Sequence, residues 1–187
     1  MKHILLLFIS GCLIFVLSGC FQKETKLPVS GDKTESLETP IVNVDGEEIG
    51  HVIFTENGKG LTIDIRAEGL TPGLHGTHIH ETGVCTPPKF ESAGAHFNPT
   101  SKEHGFDNPK GFHLGDLPNL EVDEEGQVNV RLHLTDITLK PGVEHSILDD
   151  DGSALVIHED ADDYETDPAG NSGARIACAA ITADMVK

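Results

Sequence analysis

Basic residues are scarce: 13 Lys and Arg face 31 Asp and Glu, a formal charge of −18 at pH 7. Lys2 is the only charged residue ahead of Cys20, so the chain from Cys20 onward carries 12 basic residues and a charge of −19. Phosphate backbones are bound through clustered Lys and Arg, which argues against nucleic acid as a partner. The acidity favours solubility and becomes awkward only if the substrate is itself an anion. No 3.6-residue apolar period runs through the body of the chain, and no internal repeat is present. The one long apolar run, Ile4 to Leu17, is too short for a comfortable membrane span.

That run follows Met1-Lys2-His3 and ends in Ser18-Gly19-Cys20, the layout of an export signal over residues 1–19. Leu17-Ser18-Gly19-Cys20 resembles the bacterial lipoprotein box, in which the cysteine is lipidated and becomes the first mature residue. The expectation is an extracytoplasmic protein anchored to the bacterial cell membrane through Cys20. Residues 20–40 are polar and read as a disordered tether, with a single domain over 41–187.

Of four cysteines, Cys12 leaves with the signal and Cys20 would carry lipid. Cys85 and Cys178 remain in an oxidising compartment and are expected to form a disulfide.

The body reads as β. Leu61, Ile63 and Ile65 alternate with Thr62, Asp64 and Arg66, and Val128 to Leu134 alternates in the same way. Shorter strands are predicted at Ile41 to Val44, His51 to Thr55, His75 to His80, Ala154 to His158 and Arg175 to Ile181. Turn signals such as Glu56-Asn57-Gly58 and Lys140-Pro141-Gly142 separate them. Seven or eight short strands imply an all-β antiparallel sandwich or barrel.

Histidines concentrate between Gly76 and Asp116, where His78, His80, His96, His104, His113 and Asp116 offer six metal ligands in about forty residues. On a strand, His78 and His80 point to one side and Ile79 to the other. The remaining four need a loop that folds back on itself, supported by Pro99, Gly105, Pro109, Gly111 and Gly115. His158, ending an apolar strand, offers one more ligand. His51, His133 and His145 read as solvated residues.

Seven motifs in order then resemble the copper/zinc superoxide dismutases of the exported bacterial kind. They are Gly69 to Gly76, Thr77 to Glu81, Ser92 to Pro99, His104-Gly105, His113 to Leu117, Val156 to Glu159 and Gly173 to Cys178. The resemblance runs from about Ile41 to Thr182 and implies a Greek-key barrel of about eight strands with long metal-binding and active-site loops. It implies copper on His78, His80, His96 and His158, and zinc on His96, His104, His113 and Asp116, with His96 shared. It makes Asp162 a carboxylate that orients a histidine of each group, Arg175 the arginine that binds superoxide, and His75 a brace for backbone. The loop from His158 to Arg175 is shorter than in the eukaryotic branch and has no lysine, so Arg175 is expected to carry most of the anion steering. A non-catalytic zinc- or copper-binding lipoprotein on the same scaffold is the rival reading. A zinc hydrolase is disfavoured, because three histidines and Asp116 leave no ligand position for water. Monomer and homodimer both stay open.

Overall fold

The computed structural model describes residues 34–185. The export signal, Cys20 and most of the expected tether lie outside the described residues. Nine strands form, and no α-helix occurs among the described residues. In chain order they are β1 Glu35–Asn43, β2 Glu48–Asn57, β3 Gly60–Ala67, β4 Gly73–His75, β5 Thr77–His80, β6 Leu120–Val122, β7 Val128–Leu134, β8 Ser153–His158 and β9 Arg175–Ile181.

Seven of them form one antiparallel sheet in the order β5-β8-β9-β1-β2-β3-β7, and β4 pairs with β6. The first three strands are a meander. The chain then crosses to lay β5 against β8, returns to place β7 beside β3, and crosses again to β8, a Greek-key path. The alternation read from the sequence decides which face is buried. Val52, Phe54, Ile63 and Ile65 are fully buried, while Asp64 and Arg131 face outward and pair at 2.7 Å. Register aligns Phe54, Ile63 and Leu132 in one cross-strand row of the core.

β2 runs longer than the predicted His51 to Thr55, β6 is not among the predicted strands, and two other segments change more. β1 begins at Glu35, not Ile41, and takes up residues 35–40 that composition had given to the tether. Leu37, Thr39 and Ile41 alternate inward there and are buried. β9 borders β1 only at Val42 and Asn43, so one edge of the strand is open at Pro40, the setting in which a strand proline is tolerated.

The strand predicted over His75 to His80 is two strands in different sheets, divided at Gly76. The Gly76 N–H donates to Asp160 O and its carbonyl accepts from His158 N–H, both at 2.8 Å. A Cβ at this position would lie 2.7 Å from that of Ser172, so the close approach needs glycine.

The connection from β7 to β8 is held by Glu56, a buried carboxylate at the end of β2. It accepts from Thr138 Oγ1 at 2.7 Å and from Leu139 N–H at 2.6 Å.

Candidate metal centre

β5 places His78 and His80 on one side, with Ile79 wholly in the core. β8 pairs with β5 and ends in His158, whose register partner on β9 is Arg175. His96 reaches the same place from the loop after β5, through a bridge to His80. Thus four histidines from three separate parts of the chain meet in one buried group, with ligand atoms within 4.8 Å of one another.

Each of these rings is held by one nitrogen and presents the other inward. His78 Nε2 lies 2.8 Å from Asp162 Oδ2, His80 Nδ1 donates to Gly94 O at 3.0 Å, and His158 Nδ1 donates to Gly173 O at 3.3 Å. His96 Nδ1 lies 2.9 Å from Asp116 Oδ1. The opposite atoms, His78 Nδ1, His80 Nε2, His96 Nε2 and His158 Nε2, are buried with no hydrogen-bond partner. Among the described residues the one other such side-chain atom is Ser153 Oγ. Unpartnered buried polar atoms cost free energy singly, and four converging on one point fit a cation.

Protonation favours the same role. Burial, then the neighbouring His96 and Arg175 charges, pushes His80 well below its usual value. Burial lowers His96 to about 4 and His158 to about 3. His78 is also lowered by burial, against the pull of Asp162. These rings are neutral lone-pair donors at neutral pH.

A second group adjoins the first. The Nδ1 atoms of His96, His104 and His113 lie 2.9, 3.0 and 3.1 Å from Asp116 Oδ1, and His113 Nδ1 is 3.4 Å from His96 Nδ1. Ligands at ~2.0 Å around a tetrahedral ion are separated by roughly 3.3 Å, so the four atoms are spaced for such an ion. Asp116 Oδ2 meanwhile accepts from the N–H groups of Gly105 and His113 at 3.0 Å, which fixes the carboxylate. Burial would raise the Asp116 carboxyl, but the bonds from His104, His113 and His96 and from the Gly105 N–H hold it far below its usual range. Burial likewise opposes charge on His104, yet Asp116 and Asp162 outweigh it and raise this group to about 9. His78 approaches the second group as well. Its Nε2 is engaged by Asp162, however, and its free Nδ1 belongs with the first group. His96 serves both groups through its two nitrogens.

Arg175 is half-buried and pinned by two carbonyls, donating from Nη1 to Phe90 O and from Nη2 to Gly94 O, both at 2.7 Å. Burial lowers its guanidinium from the usual value, countered by Glu91. The segment that supplies these carbonyls is tied to β9 by the expected Cys85–Cys178 disulfide, whose Cα atoms are 5.7 Å apart.

His75 bridges backbone: its Nδ1 and Nε2 each lie 2.7 Å from a carbonyl, of His158 and Thr71 respectively. His133 is exposed and His51 and His145 are partly exposed, apart from both groups. Sequence reasoning did not single out Asn119 or Tyr164, which bind the Asp162 segment. Neither has a residue type or spacing that marks a site.

A match to the family described as copper/zinc superoxide dismutase (SODC) spans residues 48–181. The superoxide dismutase-like protein YojM of Bacillus subtilis is 47% identical over 180 residues, covering 91% of this chain and 92% of its own. The second copper-zinc superoxide dismutase of Aquifex aeolicus is 47% identical over 142 residues, 75% of this chain and 83% of its own. Among solved structures, a double mutant of the Bacillus subtilis SOD-like protein, with a tyrosine and a proline each replaced by histidine, superposes with a TM-score of 0.76. It is 53% identical and covers 78% of this chain and 96% of its own. The chain belongs to the copper/zinc superoxide dismutase family.

Proposed function

We propose that the protein dismutates superoxide to dioxygen and hydrogen peroxide, with copper held by His78, His80, His96 and His158 and zinc by His96, His104, His113 and Asp116. The observation that carries the reading is the set of four unpartnered, buried imidazole nitrogens, one of them on a ring whose other nitrogen faces Asp116. An all-imidazole site suits a redox metal, and the three-histidine, one-carboxylate site suits tetrahedral zinc with no open position.

Bound copper supplies a one-electron couple, through which one superoxide is oxidised to dioxygen and a second, with two protons, is reduced to hydrogen peroxide. The chain's own residues do the rest. Arg175, register partner of His158, draws the anion toward the all-histidine group with its guanidinium fixed by Phe90 O and Gly94 O. His96 Nε2 is the atom that can take a proton in the reduced half of the cycle, while Nδ1 stays on the Asp116 side. Asp162 keeps His78 and His104 in the tautomer that leaves each Nδ1 facing a metal.

A rival reading, a metal-binding protein without catalysis, draws on the name of the Bacillus relative, superoxide dismutase-like. The solved double mutant of that protein gains two histidines by substitution. This chain has all four copper-type histidines in its own sequence, which favours catalysis. The test is dismutase activity of the purified protein, with copper and zinc quantified in the same sample. Full copper occupancy without activity would sink the enzyme reading.

The lipoprotein-like stretch at Cys20 supports export and attachment to the outer face of the bacterial cell membrane. Mass spectrometry of the mature N-terminus checks this: an acylated Cys20 is expected, and an unmodified one removes the anchor.

A further inference from the structure

Asp162 contacts both groups, so whatever fixes its carboxylate fixes their relative geometry. Its own loop braces itself through Asp163, which accepts from the N–H groups of Glu165 and Thr166, and offers the carboxylate one N–H, that of Tyr164. A further restraint comes from another segment. Asn119, three residues beyond Asp116, grips the Asp162 backbone on both sides of its Cα: Nδ2 donates to Asp162 O at 2.9 Å, and Oδ1 accepts from Asp162 N–H at 2.8 Å. The two bonds together fix which way the amide points.

Asn119 also reaches Tyr164. Its backbone N–H donates to Tyr164 Oη at 2.7 Å, and the Tyr164 N–H donates to Asp162 Oδ1 at 2.7 Å. The Tyr164 carbonyl accepts from Asp107 N–H at 2.9 Å, and its ring rests on Phe106 with centroids 5.5 Å apart. Tyr164 holds a left-handed φ of 62°, unusual for an aromatic residue, and these contacts over-determine it. The histidine-rich loop, the segment after Asp116 and the loop carrying Asp162 are therefore closed into one hydrogen-bonded ring.

We infer that Asn119 and Tyr164 are positioning residues, which hold the Asp162 carboxylate where it aims His78 and His104 at their respective metals. The inference rests on reading the two histidine groups as metal sites, but not on dismutation.

The experiment measures Zn(II) affinity of the metal-stripped full chain by chelator competition, in wild type, Asn119→Ala, Tyr164→Phe, Asp162→Ala and the Asn119→Ala/Asp162→Ala double variant. Glu56→Ala is the control, since it loosens a connection outside the site. Asn119→Ala should weaken zinc binding about tenfold, the lower end for partners of metal ligands, with a smaller loss for Tyr164→Phe. Asn119→Ala should add nothing once Asp162 is gone, because both act through one carboxylate. Glu56→Ala should lower the melting temperature without changing zinc affinity.

Unchanged affinity in Asn119→Ala, a full additional loss in the Asp162→Ala background, or an equal loss in Glu56→Ala would each overturn the inference. Should Asn119→Ala fail to fold, Tyr164→Phe, which keeps the ring and removes one hydroxyl, decides between the same outcomes. An inactive protein with the expected affinity pattern would refute dismutation and leave the inference standing.

Discussion

Arg175 Nη2 donates to the Gly94 carbonyl at 2.7 Å, and the same oxygen accepts from His80 Nδ1 at 3.0 Å. One peptide group thereby aligns the guanidinium and a ring of the all-histidine group. The position has electrostatic weight because the chain is so acidic overall. An approaching anion meets a repulsive global field and one fixed arginine beside His158.

Arg175→Ala should therefore lower kcat/KM about tenfold or more and make the residual rate rise with ionic strength, since salt then screens mainly the repulsive global field. The check is initial rate against salt for both proteins at matched metal content. An unchanged rate in the variant would remove the arginine from the mechanism.

The disulfide carries a linked expectation. Cys85 and Cys178 are 93 residues apart in sequence, and closing a loop of that length is worth roughly 4 to 5 kcal/mol in the chain-entropy model, with measured losses of about 2 to 5. Cys85→Ser should lower the urea midpoint accordingly. It also frees the segment whose Phe90 and Gly94 carbonyls hold Arg175, so activity per bound copper should fall as well. A stability loss with full activity per copper would show that Arg175 does not depend on the tie.

How legible all this was in the sequence depends on what kind of group does the work. Leu61 to Ile65 and Val128 to Leu134 announce their buried faces by alternation, and the histidines of the site declare metal chemistry by crowding between Gly76 and Asp116. β1 was harder to see, because Leu37 is the only large apolar residue between Glu35 and Pro40 and the segment is buried by its partners. The break at Gly76 is set by Asp160, His158 and Ser172, more than eighty residues away, so no local pattern could reveal it. Asp162 stands out from its acidic neighbours only through family resemblance. Asn119 acts on backbone atoms, which leave no mark in a sequence.

Acid should destabilise the metal-free protein well above the range in which carboxylates titrate. An exposed histidine titrates near 6.5, whereas His96 is lowered to about 4 and His158 to about 3 in the folded chain. Between those values the unfolded chain binds protons that the folded one refuses, so stability falls as pH drops from about 6.5 toward 3. His104 works in the opposite sense. Raised to about 9, it contributes fully below about 6.5 and loses that contribution as pH climbs through 9. The urea midpoint of chelator-treated protein should thus peak near neutrality. A midpoint flat from pH 4 to 7 would contradict the neutral, buried state of His96 and His158.

Gly170 offers the most economical way to disturb the centre without touching a ligand. It has a left-handed φ of 61°, and a Cβ there would occupy the space of Asp162 Oδ1 and press on His104 Nε2. Backbone alone would make Gly170→Ala cost about 1 to 2 kcal/mol. The steric conflict adds a specific effect, because the carboxylate must leave the position where it meets His78 at 2.8 Å and His104 at 3.0 Å. Gly170→Ala should therefore reproduce Asp162→Ala, with metal affinity reduced about 10- to 100-fold, although Asp162 is intact. Gly142→Ala is the matched comparison: its φ is 75°, and nothing, metal-ligand histidine included, lies within 4 Å of an added Cβ. It should show the backbone cost with metal binding preserved. Equal metal loss in both variants would mean that the centre responds to general destabilisation and not to the place of Asp162.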